Sequence, residues 1–137
     1  MLIANGTVVA VCDGEKFSLY RNQGDEWAPD LAPLDVGDVE TENKSSGVRH
    51  RNTAVNPAAQ QLEEDSFAVG VAGTLSSMFL AKEFEHLVVI AAPRTLGELR
   101  KRYHRQMLPA IQAEIAKDLT GHALPALLAM LKTAKPN

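Results

Sequence analysis

The sequence predicts an α/β protein with a mixed five-stranded sheet and helices, in the element order β-β-β-α-β-α-β-α. Two observations predict this class. Near the N-terminus, the turn dipeptides Asn5-Gly6 and Asp13-Gly14 separate short segments rich in apolar and β-branched residues, as in antiparallel hairpins. Farther along, an apolar run over residues 87–92 passes through Pro93 directly into a helix start. Such a run indicates a parallel strand that is buried on both faces.

The N-terminal turns predict an antiparallel meander of three strands. The first strand would lie before Asn5-Gly6, at residues 2–5. The second would cover residues 7–12, which are apolar and β-branched and suit the centre of a sheet. The third would follow the second turn, where apolar and polar residues alternate over residues 16–21.

An acidic stretch and then a basic loop follow the meander. Residues 25–42 contain seven carboxylates, so most of this stretch should be solvated, with pairing at a sheet edge near Trp27 or Leu34. Residues 44–51 then carry three fixed positive charges and one histidine. Few of these residues could anchor a core, which predicts a mobile loop over about residues 38–55.

The first and longest helix is predicted to begin at Asn56-Pro57, with Asn56 as the N-cap and Pro57 in the first turn. Its apolar residues recur at helical spacing, and it should end near residues 82–84. The members of this buried stripe are Phe67, Val71, Leu75, Met78 and Phe79.

A second helix is expected after the 87–92 strand, because Thr95 and Glu98 have the spacing of a capping box. Pro109 would end it. Apolar residues at alternate positions over residues 111–117 predict the last strand, and a final helix should start near Leu124. The expected core face of the second helix consists of Leu96, Leu99, Tyr103 and Met107, and its other face carries Arg100, Lys101, Arg102 and Arg105.

Strand, helix and strand in succession imply a right-handed parallel crossover. The elements together have the order of the ribonuclease-H-like fold. The 137 residues are enough for one domain with a real core, so a single domain over residues 1–137 is expected.

The composition is that of an ordinary globular protein. A formal net charge of -3 argues against a globally basic nucleic-acid binder but leaves room for a local basic patch. Cys12 is the single cysteine, and its apolar setting predicts a buried thiol. The sequence has no apolar run of about 20 residues and no signal-peptide pattern, so we expect a cytoplasmic protein without membrane insertion. Histidine spacing and glycine pattern predict neither a metal site nor a cofactor.

The expected fold raises the question of nuclease activity. Two-metal phosphodiester cleavage needs carboxylates around ions that lie about 4 Å apart, and such a site would draw them from the first strand and the end of the fourth. The expected first strand offers only residues 3–5, and the fourth ends at residues 91–93, without a carboxylate at either place. The sequence therefore predicts no nuclease, and we assign no catalytic residues for such a reaction.

A candidate anion site lies where the fourth strand meets the second helix. Arg94 follows that strand, and the last parallel strand should end on the same side of the sheet. Two cations, a carboxylate, a hydroxyl and an imidazole would then surround a helix N-terminus, a setting suited to an anion. The alternative is structural: Arg94 pairs with Asp118, and Thr120 caps the last helix. The candidate residues are Arg94, Thr95, Lys117, Asp118, Thr120 and His122.

Two basic segments are candidates for contact with nucleic acid, because lysine and arginine neutralise backbone phosphates. One is the loop over residues 44–51, and the other is the basic face of the second helix. For each, the alternative is a solvated surface, and the loop would then be neutralised by the acidic stretch beside it. The candidate residues are Lys44, Gly47, Arg49, His50, Arg51, Arg100, Lys101 and Arg105.

Four segments carry a resemblance to a known family: residues 2–6, Asn56-Pro57, residues 87–100 and residues 114–122. They resemble the bacterial host attachment proteins, which are also described as bacterial relatives of the middle domain of archaeal and eukaryotic peptide release factors. The resemblance covers nearly the whole chain. It implies a role in translation, and its attachment label implies a role in contact with a host.

The resemblance also implies a working loop between the meander and the long helix. In the release-factor domain that loop contains Gly-Gly-Gln, and its glutamine assists water in cleaving peptidyl-tRNA. The corresponding loop here is residues 43–55, where Gly47 stands alone and no glutamine follows before Pro57. Release chemistry is therefore not expected to carry over.

Three hypotheses follow. The first is a non-enzymatic cytoplasmic domain that binds the ribosome, ribosomal RNA or transfer RNA through the two basic segments. The second is a protein-interaction factor that affects host attachment indirectly and docks through the acidic stretch at residues 25–42. The third is a small hydrolase with a site at Arg94, Lys117, Asp118 and His122.

Overall fold

The computed structural model describes residues 1–35 and 57–136. The predicted mobile loop and the predicted N-cap Asn56 lie outside the described residues. Within them the chain forms strands and helices in the predicted order. Their bounds are β1 Val8–Cys12, β2 Phe17–Asn22, β3 Leu31–Leu34, α1 Pro57–Leu80, β4 Leu87–Ala91, α2 Pro93–Arg100, a 3-10 helix Arg105–Ala110, β5 Ile111–Ala116 and α3 Leu124–Thr133.

β1 is the central strand of a five-stranded sheet with the strand order β3-β2-β1-β4-β5. It pairs antiparallel with β2 and parallel with β4, from Val8 opposite Leu87 to Cys12 opposite Ala91. β3 extends the antiparallel side, and β5 extends the parallel side. The predicted mixed α/β sheet is confirmed. The label ribonuclease-H-like stays a prediction.

Both faces of the sheet are covered, which explains why every residue of β1 and β4 is buried. Alternate residues of a strand point to opposite faces. Val8, Ala10 and Cys12 join one core with residues of α1 and α2. Val9 and Val11 join a second core, which α3 closes. A strand covered on both sides needs apolar residues throughout, and this is the continuous run that the sequence carries.

The antiparallel meander begins one strand later in the chain than predicted, so that the predicted second and third strands are β1 and β2. Residues 2–5 do not form a strand; Asn5-Gly6 is a turn, with Gly6 at φ 88°, and it leads into β1. The third strand is instead β3, at the sheet edge. There Pro33 is tolerated, because an edge strand has one row of backbone groups without a ladder partner. The expected edge pairing near Leu34 is confirmed; Trp27 lies in the loop before β3.

The first helix agrees with its predicted pattern. Val71 and Leu75 are fully buried, and Phe67, Met78 and Phe79 pack against the same core. The helix ends at Leu80, slightly before the expected residues 82–84. Within the described residues, no helix has the length and apolarity to cross a membrane.

The predicted capping box at the second helix is wrong. α2 begins three residues earlier than this capping box implies, at Pro93, with Ala92 in place of Thr95 as its N-cap and no side-chain capping bond. Proline suits this position because its φ is already helical and its missing N–H would have no partner in the first turn. Thr95 therefore lies inside the helix, where it is buried.

α2 is also shorter than predicted. It ends at Arg100, and a separate 3-10 helix carries Pro109 inside it rather than after it. The connecting residues are held by side chains: the Ser76 hydroxyl accepts from the backbone N–H of His104 at 3.0 Å, and the His104 ring accepts from the N–H of Gln106 at 3.1 Å. Met107 is still buried as predicted.

Asn22 is a buried polar residue that ties the N-terminal segment to the β2–β3 loop. Its amide nitrogen donates to the carbonyl oxygens of Ile3 at 3.0 Å and Ala4 at 3.3 Å. Its amide oxygen accepts from the backbone N–H of Gly24 at 3.0 Å and of Asp30 at 2.9 Å. A buried amide with both ends used fixes the conformation of both segments.

The variant Asn22→Asp tests this role. It replaces the donating nitrogen by an oxygen that faces two carbonyl oxygens, and it buries a charge. We expect the free energy of unfolding to fall by about 3 kcal/mol in urea denaturation. Gln23→Glu makes the same chemical change at the exposed neighbouring side chain and should cost less than about 0.5 kcal/mol. Equal effects of the two variants would contradict the role.

Candidate functional site at the carboxyl edge of the sheet

The carboxyl ends of the three parallel strands meet at one edge of the sheet. Cys12 of β1 lies opposite Ala91 of β4, and Ala91 lies opposite Ala116 of β5. The residues that follow these strands therefore come to the same edge. Asp13 follows β1, Arg94 stands in the first turn of α2, and residues 117–122 follow β5. Ligands of open α/β sheets commonly bind at this kind of edge.

Asp13 is the most constrained carboxylate of this edge. Its Oδ1 accepts from the backbone N–H of Glu15 at 2.7 Å and of Lys16 at 2.6 Å, which closes the β1–β2 turn. Its Oδ2 accepts from the Thr120 hydroxyl at 2.8 Å. Burial raises the pKa of Asp13, but these hydrogen bonds and the charge of Lys16 outweigh it and leave the pKa below its usual value.

Thr120 lies between two carboxylates. Its hydroxyl is 2.8 Å from Oδ2 of Asp13 and 2.7 Å from Oδ1 of Asp118, and its backbone N–H donates to the same Asp118 oxygen at 3.2 Å. One hydroxyl hydrogen serves one acceptor at a time. Thr120 therefore links the turn after β5 to the turn after β1. By rotating, its hydroxyl group can donate its hydrogen bond to either carboxylate.

The six residues of the predicted anion site are in different environments. Asp118 and Thr120 contact each other, as described above. Thr95 is 7% exposed and faces the interior. Arg94, Lys117 and His122 are exposed, and within residues 1–35 and 57–136 none of the three side chains makes a hydrogen bond or ion pair.

The structural alternative for this site is wrong in both of its parts. Within the described part of the chain Arg94 forms no ion pair with Asp118. The N-cap of α3 is Ala123, without a side-chain capping bond, so Thr120 does not cap that helix. Its hydroxyl contacts Asp13 and Asp118 instead.

Asp13 was missed as a site residue by sequence reasoning, which assigned it to a turn only. The signal was present, because Asp13 directly follows a β-branched apolar run and so stands at the carboxyl end of a strand. The expectation that the first strand offers no carboxylate rested on residues 3–5 and is corrected by the observed position of β1. Even so, among the described residues no group of three or more His, Cys, Asp or Glu side chains could hold a metal ion.

The approach of α1 shows how closely this edge is packed. A Cβ atom at Gly14 would lie 2.5 Å from Cγ of Glu64, so any other residue at position 14 would displace this side chain. Glycine at this position therefore lets the turn after β1 approach α1 closely, and the Glu64 carboxylate lies beside it.

A second candidate site is the basic surface, which we define as Arg100, Lys101, Arg102 and Arg105. All four side chains are exposed, and residues 100–105 contain no carboxylate. Nε of Arg100 pairs with Glu114 at 3.2 Å, and Nζ of Lys101 pairs with Glu98 at 3.0 Å. Arg102 and Arg105 have no ion-pair partner among the described residues. Exposed pairs of this kind are weak, so all four cations are accessible to a polyanion.

Tyr103 anchors the basic surface to the core, where its ring packs. Its hydroxyl is buried and has no hydrogen-bond partner among the described residues. Burial raises the pKa of Tyr103, the charge of Glu114 adds to this, and Arg100 opposes it. Burial and the neighbouring charge of Asp13 likewise raise the pKa of Cys12 to about 12. Both groups are therefore protonated at neutral pH, and neither is an activated nucleophile.

The lowered pKa of Asp13 predicts a pH-dependent contribution to stability. A carboxylate with a lowered pKa stabilises the fold above its unfolded pKa of about 3.9, and this contribution is lost as the pH falls through the folded value. We expect Asp13→Asn to have a lower urea midpoint than the wild type at pH 7, and the difference to shrink at pH 3.

Glu26→Gln is the matched control, because Glu26 is exposed and makes no hydrogen bond within the described residues. Its midpoint should follow the wild type at both pH values. A gap between Asp13→Asn and wild type that stays constant from pH 7 to pH 3 would show that the charge of Asp13 does not contribute.

The chain matches a known protein family. A family model described as "Bacterial archaeo-eukaryotic release factor family 12" matches residues 6–131. The match runs from the turn before β1 into α3 and so includes the carboxyl edge and the basic surface. No curated protein matches the chain.

Proposed function

The chain belongs to bacterial archaeo-eukaryotic release factor family 12, and from this premise we propose that it acts in translation by binding ribosomal or transfer RNA. Binding without catalysis is part of the proposal. The sequence has no Gly-Gly-Gln, the motif that the resemblance associates with release chemistry. The proposal implies a location in the cytoplasm, where its RNA partners are.

The observation that carries the proposal is the basic surface. It places four cations within six residues of a chain whose net charge is -3. Arg102 and Arg105 are exposed, and a guanidinium offers a planar set of donors that fits phosphate oxygens. The partly buried ring of Tyr103 packs against the core and restrains the backbone between them, which lowers the entropic cost of binding.

The basic loop is proposed, from the sequence alone, as a second segment that contacts RNA. Residues 44–51, whose candidate contacts are Lys44, Gly47, Arg49, His50 and Arg51, lie outside the described residues. They occupy the position of the working loop that the resemblance assigns to the release-factor domain. In the proposal this loop adds phosphate contacts to those of the basic surface.

The attachment role that the resemblance implies is proposed to be indirect. A protein that binds translation RNA would change attachment through the proteins whose synthesis it affects. The described residues provide no observation that favours direct adhesion to a host cell.

The test is cosedimentation with ribosomes, together with binding to purified transfer RNA, from low to high salt. We expect Arg102→Gln/Arg105→Gln to weaken binding about tenfold or more at low salt. The slope of log K against log salt should become shallower by about 1.5, because each lost phosphate contact removes roughly 0.7 to 0.9 from it.

Lys132→Gln/Lys135→Gln is the matched control, because it removes the same charge from exposed positions outside the basic surface. It should leave the slope near that of the wild type. Equal losses in the two double variants would mean that only net charge matters, and no binding by the wild type at low salt would refute the proposal.

A further inference from the structure

Trp27 is the most exposed large apolar side chain of the described residues, with 80% of its surface accessible. It lies in the β2–β3 loop, on the antiparallel side of the sheet. Tryptophan at such exposure is unusual on a free surface, and it is enriched among the residues that dominate binding at protein interfaces.

The loop presents Trp27 in a fixed conformation. Oδ1 of Asp25 accepts from the backbone N–H of Trp27 at 2.9 Å and of Ala28 at 2.7 Å. The base of the loop is closed by the N–H of Gln23, which donates to the carbonyl oxygen of Asp30 at 2.8 Å. A side chain on a preformed loop loses little backbone entropy when it binds.

The base of this loop is also joined to the rest of the molecule. The Asn5 amide donates to the carbonyl oxygens of Gln23 at 3.1 Å and Gly24 at 2.7 Å. With the contacts of the buried Asn22 side chain, these bonds hold the loop against the N-terminal segment. Trp27 therefore projects from a rigid support.

The charge around Trp27 indicates the chemistry of its partner. Asp25, Glu26 and Asp30 are all exposed, and residues 22–35 contain no lysine, arginine or histidine. An indole face attracts lysine and arginine by cation–π interaction, and the carboxylates add to that attraction. The same carboxylates repel a phosphate backbone.

We propose that the Trp27 loop, residues 22–30, is a docking site for a lysine- or arginine-rich segment of a partner protein. The site goes beyond the proposed RNA binding, since it lies on a different surface and takes a partner of opposite charge. It stands on its own observations, which are the exposed indole and the exposed carboxylates of a segment without basic residues, and it does not depend on the basic surface.

The protein carries its own probe for this site. Trp27 is the single tryptophan of the chain, so intrinsic tryptophan fluorescence reports on the loop directly. The full chain is titrated with an arginine-rich peptide without aromatic residues, with a glutamate-rich peptide of equal length, and with a single-stranded RNA oligonucleotide. We expect a saturable change in fluorescence with the arginine-rich peptide alone, weakened by salt.

Two pairs of variants separate a specific site from general attraction, measured by the anisotropy of a labelled arginine-rich peptide. Trp27→Ala should lose at least about tenfold in affinity, whereas Leu108→Ala, at another exposed apolar side chain, should not. Glu26→Gln should weaken binding severalfold, whereas Glu85→Gln, at an exposed glutamate outside the loop, should have little effect.

The outcomes that overturn the proposal are equally defined. Affinity of Trp27→Ala equal to that of the wild type would show that the indole takes no part. Equal effects of Glu26→Gln and Glu85→Gln would show that the peptide responds to the net charge of the protein and not to the loop. A saturable fluorescence change with the RNA oligonucleotide in place of the peptide would assign this loop to nucleic acid. Failure of ribosome or transfer RNA binding, by contrast, would refute only the function proposed for the basic surface.

Discussion

The parallel pairing of β1 with β4 is the constraint on which the rest of the structure depends. It joins Val8–Cys12 to Leu87–Ala91 in register, and all ten residues are buried. Burying both faces of two strands requires a layer on each side, and α1 with α2 provides one while α3 provides the other. Apolar burial of this extent is the main favourable contribution to folding, so the helices are positioned by the pair they cover.

The same pairing creates the carboxyl edge. Because β1, β4 and β5 run parallel and end side by side, residues separated by more than a hundred positions meet there. The contact between Thr120 and Asp13 spans 107 positions and joins the two turns that follow the outer strands of this parallel set. Among the side-chain to side-chain hydrogen bonds of the described residues it spans the largest separation in sequence, and we expect it to contribute to stability whatever else binds at the edge.

Sequence reasoning recovers the elements that have a strong local pattern and loses those set by tertiary context. The sheet class followed from a continuous apolar run and from helical periodicity. β3 was foreseen only as edge pairing near Leu34 and was not counted among the three strands of the meander, because four residues with Pro33 among them show no strand period. The capping box failed because Pro93 starts the helix earlier and places Thr95 inside it. At the candidate site, Asp118 and Thr120 could be named together from the sequence, because they lie two positions apart. The partner Asp13 depends on strand register, which no local pattern encodes.

The strand order also separates the two charged surfaces of the molecule. The Trp27 loop leads into β3, which is one end of the order β3-β2-β1-β4-β5, and the basic surface lies before β5, which is the other. Four strand spacings separate those ends, roughly 19 Å at about 4.8 Å each, which is well beyond the Debye length of about 8 Å at physiological salt. A partner at either surface therefore meets the electrostatic potential of that surface alone, although the net charge of the chain is small. A polyanion at one end and a cationic segment at the other would not compete, and the rigid sheet between them would hold both partners in a fixed relation.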